Sequence, residues 1–165
     1  MIIIKGATVM KSKTCCFTGH RKIPLEQYPN ITQRLENEII KLIKIGVRNF
    51  CAGGALGFDT HVALIVLELR KKYPHIRLVL VIPCLEQYKG WDEDDKQIYN
   101  LIWKKADKVI YTSEEYHPGC MHLRNHKLVD LSNYCICYLT KPTGGTAYTV
   151  RYANKTGARI INLAE

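Results

Sequence analysis

Two glycine-rich segments each stand between an apolar run and an amphipathic segment. The first is Gly53-Gly54-Ala55-Leu56-Gly57-Phe58-Asp59, and the second is Gly144-Gly145-Thr146. Small residues at the start of a helix leave backbone N–H groups accessible, and those groups favour an anion. The spacing differs from the G-x-G-x-x-G dinucleotide fingerprint and from the P-loop, whose lysine is absent. The turns therefore predict a phosphate-binding edge, with Asp59 either capping its helix or accepting a ribose hydroxyl.

Cationic side chains stand near two other candidate element boundaries. Thr18-Gly19-His20-Arg21 ends an apolar run and places a hydroxyl, an imidazole and a guanidinium side by side. Arg124 and Asn125 lie on a candidate helix after the Pro118-Gly119 turn, and they are suited to a phosphate and a ribose. The alternatives are an ordinary polar turn at Gly19 and a surface arginine at Arg124. We expect both segments to contribute to an anion site.

An aromatic group follows a third apolar run, which ends at Pro83-Cys84. Gln87 and Trp91 come next, with Tyr88 between them. An aromatic pair beside a polar amide is suited to stacking and orienting a base. Alternatively, Trp91 covers the sheet, and the sequence leaves both roles open.

Composition restricts the class of protein. A chain of 165 residues, 47% hydrophobic and 24% charged, has the size and composition of one globular domain. The run Met1-Ile2-Ile3-Ile4 is too short for a membrane span or a signal peptide, so we expect a cytoplasmic protein with no membrane partner. Seven cysteines, several of them in apolar runs, fit reduced thiols, and no metal is expected at Cys135-Ile136-Cys137. The net charge of +9 favours partners that carry phosphates, although a solvated basic face explains it equally well.

Short apolar runs alternate with segments of helical periodicity, which is typical of an α/β fold with a mostly parallel sheet flanked by helices on both faces. The predicted strands are 14–18, 49–52, 77–82, 108–111, 134–139 and 159–162, and the predicted helices are 31–45, 59–72, 92–105, 120–131 and 146–155. Ligands of such sheets bind beyond the carboxyl ends of the strands. The sequence does not give the strand order.

In this order and spacing, the segments at 17–21, 53–59, 83–84, 124–125 and 144–146, with Trp91, resemble the YpsA/YoqJ-like branch of the SLOG superfamily. The resemblance extends from about Lys13 to Leu163. It implies a Rossmann-like fold that binds nucleotides or nucleotide-derived ligands. We expect no cofactor to be required. The resemblance also implies one domain over residues 13–165 after an N-terminal extension of residues 1–12, and a homodimer.

The LOG phosphoribohydrolases, which cleave the N-glycosidic bond of nucleoside monophosphates, are more distant relatives in this comparison. Their M-H-x-R-K segment is similar to residues 121–125, and their P-G-G-x-G-T-x-x-E segment is similar to the second glycine turn. After Thr146 this chain has Ala147-Tyr148-Thr149, so no carboxylate stands at the position of that family's catalytic glutamate. A carboxylate stabilises the oxocarbenium ion and handles the proton, which a phenol with a pKa of about 10 cannot do comparably near neutral pH. Asp59, Glu114 or Glu115 would substitute only if the fold brought one of them close.

The DNA-processing protein A family is a second distant relative, and its A-R-G-I-D-x-x-A-H segment looks like residues 55–61. There the sheet edge serves single-stranded DNA. In this chain Leu56 replaces the basic residue of that segment, and no series of exposed aromatics along a basic groove is evident.

The sequence therefore favours a binding protein, a sensor or sequestering module for a nucleotide derivative such as an ADP-ribose-type molecule or a nucleoside phosphate. Arg21 and Arg124 would contact phosphates, with Asp59 or Asn125 on ribose hydroxyls. The alternatives are N-glycosidic hydrolysis, for which Arg124 is the candidate catalytic residue, and binding of single-stranded DNA.

Overall fold

The structure is a computed structural model that describes residues 2–5 and 9–165. Strands and helices alternate along the chain after β1. The strands are β1 Ile2–Lys5, β2 Thr14–Gly19, β3 Asn49–Ala52, β4 Arg77–Ile82, β5 Lys108–Tyr111, β6 Tyr134–Tyr138 and β7 Arg159–Asn162. The α-helices are α1 Tyr28–Lys44, α2 Phe58–Lys72, α3 Glu93–Lys105, α4 Cys120–Asp130 and α5 Gly145–Lys155.

The described strands form one sheet in the order β1-β5-β4-β3-β2-β6-β7. Strands β2 to β7 are mutually parallel, and β1 pairs antiparallel with β5 at one edge. The order runs outward from β2 in one direction through β3, β4 and β5, and in the other through β6 and β7. The direction of winding therefore reverses between β2 and β6, and a crevice opens at such a switch point beyond the carboxyl ends of the strands.

Each face of the sheet carries its own apolar core, as strand side chains alternate between the two faces. One core joins Phe17 and Phe50 of the sheet to buried side chains of α1, α2 and α3. The other joins Cys16 and Cys135 to buried side chains of α4 and α5. The predicted fold class, a mostly parallel sheet with helices on both faces, is confirmed.

The predicted elements are all present, with small differences at their ends. Helix α1 begins at Tyr28, before the predicted start. Pro29 fits in its first turn, because a backbone N–H at that position would have no partner within the helix. Strand β6 ends at Tyr138, and the Leu139 N–H donates instead to the side chain of Asn162 at 3.1 Å. Strand β1 was not predicted; it lies within the expected N-terminal extension, of which residues 1 and 6–8 are outside the described residues.

The cysteines are buried as free thiols. Burial raises the pKa of Cys137 to about 12, so this thiol stays protonated at neutral pH. Cys135 and Cys137 share the face covered by α4 and α5. Over residues 2–5 and 9–165, no cluster of three or more His, Cys, Asp or Glu side chains is arranged to hold a metal ion. None of the described helices combines the length and apolar character needed to cross a membrane.

Close packing at Gly19 fixes helix α2 against the end of β2. A Cβ atom built on Gly19 would lie 2.7 Å from the Cβ of Phe58 and closer still to its ring, and Phe58 is fully buried. The Phe58 N–H also donates to the carbonyl of His20 at 3.2 Å. The absence of a side chain at Gly19 therefore lets the start of α2 reach the carboxyl end of β2.

We expect Gly19→Ala to lower the free energy of unfolding by about 1–3 kcal/mol, because Phe58 has no room to move aside. Gly145→Ala is the matched control, since a Cβ there would meet nothing within 4 Å. That control should change stability by less than about 0.5 kcal/mol or raise it slightly. Urea unfolding of the two variants measures the difference. Equal stabilities would contradict the packing role of Gly19.

Candidate ligand-binding site

A cavity of about 310 Å³, called the inner cavity below, lies at the switch point between β2 and β6. It is bounded by the end of β2, the starts of α2 and α5, and one face of α4. Its lining residues are Phe17, Thr18, Gly19, His20, Arg21, Ala55, Asp59, Met121, Arg124, Asn125, Leu128, Gly145 and Thr146. Four segments that are far apart in sequence thus meet where the fold predicts a ligand.

A buried guanidinium and a buried carboxylate flank Gly53 at this cavity. Arg124 and Asp59 are each only 7% exposed. A Cβ on Gly53 would lie 2.7 Å from the Asp59 Oδ2 and 2.8 Å from the Arg124 Cζ. Only a glycine at position 53 therefore allows both charged side chains to occupy these positions.

The hydrogen bonds of Arg124 leave part of its guanidinium free. Its Nη1 donates to the Gly53 carbonyl, and its Nε donates to the Asn125 Oδ1 at 2.8 Å. Its Nη2 has a sulfur contact with Met121 at 3.9 Å. No carboxylate of the described residues lies within ion-pair distance of Arg124, so its charge has no contacting anion.

Burial works against the charges of both groups. It raises the pKa of Asp59 above its ordinary value, although Arg124, the Ala55 N–H and Arg21 act in the opposite direction. Burial also lowers the pKa of Arg124, against the effect of Asp59. The Asp59 Oδ2 accepts from the Ala55 N–H at 3.2 Å, so Asp59 ties the glycine turn to α2 and does not cap the helix. A buried cation without a contacting anion would gain from a negatively charged ligand.

Hydrogen-bond donors that point to no protein acceptor surround the same space. The hydroxyls of Thr18 and Thr146 form no hydrogen bond within the described part of the chain, although each residue is 8% exposed. Helix α5 starts at Gly145 without a side-chain cap, and Gly144 has a φ of 96°. Added Cβ atoms on Gly144 and Gly145 would meet nothing within 4 Å, so the first turn of α5 faces open space. The inner cavity can thus offer backbone and hydroxyl donors to an anion.

His20 acts as an acceptor at the rim. Its Nε2 accepts from the Thr140 N–H at 3.1 Å, so the proton of the neutral ring lies on Nδ1. Burial, and then the charge of Lys141, lower the pKa of His20. His20 is therefore a neutral side chain at neutral pH and joins the ends of β2 and β6, while Arg21 beside it is an exposed cation.

A second cavity, the outer cavity, of about 830 Å³, adjoins the first and shares Arg21 and Met121 with it. Its other lining residues are Cys84, Leu85, Glu86, Gln87, Lys89, Trp91, Glu114, Glu115 and Tyr116. Trp91 is half-buried and packs edge-on against Tyr99 at 5.6 Å, so it both covers the core and faces the cavity.

Most of the predicted site residues lie together. Thr18, Gly19, His20, Arg21, Ala55, Asp59, Arg124, Asn125, Gly145 and Thr146 line the inner cavity, and Gln87 and Trp91 line the outer one. Gly53, Gly54, Gly57, Gly144 and Pro83 line neither cavity. Gly57, with a φ of 78°, lies so close to the Arg21 backbone that a Cβ would be 2.7 Å from its Cα. The first glycine turn is therefore filled by the protein's own groups.

Sequence reasoning missed Leu128 of the inner cavity and Leu85, Glu86, Lys89 and Tyr116 of the outer cavity. Leu128 follows Met121, Arg124 and Asn125 at helical spacing, so the one-face rule for helices would have found it. Tyr116 is 73% exposed in the connection before α4, and nothing in its local sequence predicts a cavity.

Fold and site together define a Rossmann-like α/β protein with a cationic cavity at its topological switch point. Residues 15–161 match the YpsA family, described as the YspA SLOG family. Since this match covers most of the chain, the protein belongs to that family. The resemblance inferred from the motifs is thereby confirmed.

Two curated relatives are similar over much of their length. The uncharacterized SPbeta prophage-derived protein YoqJ of Bacillus subtilis (strain 168) is 33% identical over 119 residues, which are 65% of this chain and 70% of YoqJ. A UPF0398 protein of Bacillus thuringiensis (strain Al Hakam) is 28% identical over 155 residues, 88% of this chain and 84% of that protein.

A solved structure, DNA processing protein A from Helicobacter pylori, has a similar fold, with a TM-score of 0.62 and 18% sequence identity. The match covers 91% of this chain but only 64% of that chain, so the likeness concerns the fold of one part of a longer protein.

The raised pKa of Asp59 predicts a pH dependence of stability. An unfolded aspartate has a pKa of about 3.9, so the folded chain binds the Asp59 proton more tightly, and Asp59 reduces stability as the pH rises from about 4 through its folded pKa. Asp59→Asn keeps an oxygen for the Ala55 N–H but does not titrate. The free energy of unfolding of this variant minus that of the natural chain should rise with pH and then level off. Urea unfolding across that pH range measures it, and a flat or falling difference would contradict the burial effect.

Proposed function

We propose that the protein binds a phosphate-bearing nucleotide derivative, an ADP-ribose-like molecule or a nucleoside phosphate, as a sensor or sequestering module. The observation that carries the proposal is Arg124, a buried arginine at the switch point with no contacting carboxylate among the described residues. Burying an unpaired charge is costly, and a phosphate in the inner cavity would compensate it.

The surrounding donors support a phosphate in particular. Arg21 and Arg124 supply two guanidinium groups, which match phosphate oxygens with paired N–H donors. Thr18 and Thr146 add hydroxyls, and the first turn of α5 adds backbone N–H groups. Asn125 retains its amide NH₂ as a donor, because only its Oδ1 is used by Arg124. This set suits a tetrahedral anion with an attached ribose better than a single carboxylate.

Thr149 stands at the position of the catalytic glutamate of the LOG phosphoribohydrolases, and this favours binding without cleavage. Thr149 is 1% exposed, and its hydroxyl donates to the Gly145 carbonyl at 2.9 Å within α5. Asp59 is the carboxylate of the inner cavity, but its Oδ2 is held by the Ala55 N–H. Glu114 and Glu115 line the outer cavity instead. We therefore propose no hydrolytic role for the described carboxylates and no requirement for a cofactor.

Nucleic acid is the alternative ligand, because it also carries phosphate groups. The net charge of +9 and the fold likeness to DNA processing protein A, whose reported structure concerns single-stranded DNA binding, are consistent with it. The inner cavity, with a volume of about 310 Å³, favours a small molecule over a continuous strand. A cytoplasmic location and a homodimer remain part of the proposal.

Arg21→Ala should lower the affinity for AMP or ADP-ribose about tenfold or more, because it removes a charge-assisted contact to phosphate without emptying the core. Lys22→Ala is the matched control, an exposed neighbouring cation that lines neither cavity. Isothermal titration with AMP, ADP-ribose, NAD and cyclic nucleotides measures both variants.

The control variant should bind like the natural chain. No heat from the whole panel with folded protein would overturn the proposal. Equal losses in the two variants would indicate general charge attraction, and a gel shift with short single strands that weakens steeply with salt would then favour nucleic acid.

We expect no free base above a no-protein control after overnight incubation with nucleoside monophosphates, since Thr149 replaces the carboxylate. Chromatography of the incubation detects the base. Base release that disappears in Asp59→Asn would show that Asp59 takes over the catalytic role and would reject the binding-only proposal.

A further inference from the structure

The outer cavity differs in charge from the inner one. The lining residues that carry a formal charge are two cations, Arg21 and Lys89, and three carboxylates, Glu86, Glu114 and Glu115. In a chain with a net charge of +9, a cavity with more carboxylates than cations is an exception to the overall charge. Phosphates would meet like charge here, so the two cavities are suited to different parts of a ligand.

Two of these carboxylates have no cation partner. Glu86 lies 3.9 Å from the Lys89 Nζ, an exposed pair. Glu114 and Glu115 form no salt bridge with any described residue, and both are exposed at the cavity. Free carboxylates at the edge of a cavity accept hydrogen bonds strongly from N–H donors.

Gln87 fixes one wall of the outer cavity. It is 8% exposed, and its Nε2 donates to the Gly54 carbonyl at 2.9 Å, which fixes the orientation of the amide. The Oε1 of the same amide is buried and has no hydrogen-bond partner within the described residues. Because this oxygen is fully buried, a ligand in the cavity does not contact it, and Gln87 instead holds the cavity wall to Gly54 of the first glycine turn.

The remaining lining residues of the outer cavity are apolar or aromatic. Trp91 and Met121 line the cavity, and Leu85 is 43% exposed there. Tyr116 is 73% exposed and forms a further aromatic wall. Apolar and aromatic surface combined with hydrogen-bond acceptors is suited to a planar, uncharged group that donates N–H bonds.

We infer that the outer cavity selects a nucleobase that carries an exocyclic amino group, while the phosphate of the same ligand occupies the inner cavity. Arg21 and Met121 line both cavities, so one ligand can extend across them. This inference rests on the proposed function. The amino group of such a base donates to Glu114 or Glu115, whereas a keto oxygen at the same place would face the carboxylates and be repelled.

Matched nucleotide pairs test this selection. CMP and UMP differ in an amino or a keto group at one ring carbon and in an acceptor or an N–H donor at the neighbouring ring nitrogen. AMP and IMP differ in the same way, and ribose 5-phosphate lacks a base. We expect CMP and AMP to bind about tenfold or more tightly than UMP and IMP in isothermal titration, because the contacts involve charged acceptors. Each amino nucleotide should also bind more tightly than ribose 5-phosphate.

A double variant, Glu114→Gln with Glu115→Gln, should bring both affinity ratios close to one, since an amide can turn its NH₂ group to a keto oxygen. It should not weaken the binding of ribose 5-phosphate, which has no base for the glutamates to contact. Glu26→Gln is the control, an exposed glutamate without an ion pair among the described residues that lines neither cavity, and it should keep the ratios of the natural chain.

The outcomes separate the two proposals. Binding of ribose 5-phosphate that depends on Arg21, with equal affinities within each pair, would overturn base selection and leave phosphate binding intact. Ratios that persist in the double variant would also overturn it, because selection would then lie elsewhere. Absence of binding by every compound would overturn both proposals.

Discussion

The geometry of the site depends on one buried cation. Arg124 extends from α4 to the carbonyl of Gly53, the residue that follows β3. The position requires a glycine beneath it and a carboxylate, Asp59, on the other side of that glycine. Burial opposes the charge of each group, and the attraction between the two charges acts against that effect without an ion-pair contact. The three elements β3, α2 and α4 are thereby tied together around the inner cavity.

The two glycine turns, which look alike in sequence, have different physical roles. In the first turn Gly53 makes room for Arg124 and Asp59, Gly54 lies against Gln87, and Gly57 lies against the backbone of Arg21. The second turn is open, because added Cβ atoms on Gly144 and Gly145 would meet nothing within 4 Å. The glycine turn at Gly53–Gly57 therefore packs beneath the site. The glycine turn at Gly144–Gly145 leaves the N-terminus of α5 accessible to an anion. Glycine content alone does not distinguish a turn that packs from a turn that binds.

How much could be predicted from the sequence depends on whether a feature is set by near neighbours in the chain or by tertiary structure. Helical periodicity and apolar runs located the elements, since both depend on near neighbours in the chain. Strand β1 was not predicted, because four residues at a sheet edge carry little periodic signal and their partner β5 lies far along the chain. The chemical types of Arg124 and Asp59 made them candidates in the sequence. Their positions on either side of Gly53 depend on the strand order, which is a tertiary property. Glu114 and Glu115 came under consideration as substitutes for a missing catalytic residue, and only the fold places them at a different cavity.

The arrangement of donors explains why holding a ligand suits this site better than transforming it. Apart from the Asp59 carboxylate, the polar groups at the inner cavity are mostly guanidinium, hydroxyl and backbone N–H donors, and such donors would bind a phosphate equally well before, during and after a reaction elsewhere in the ligand. Uniform binding of this kind increases affinity but does not lower the barrier of a chemical step. Cleavage of an N-glycosidic bond needs a group whose interaction strengthens as positive charge develops on the sugar, and a free carboxylate provides it. Here Thr149 is turned into its own helix and the Asp59 Oδ2 is held by the Ala55 N–H. Under the proposed function, the binding energy of the cavity would therefore be directed at the ground state of the ligand.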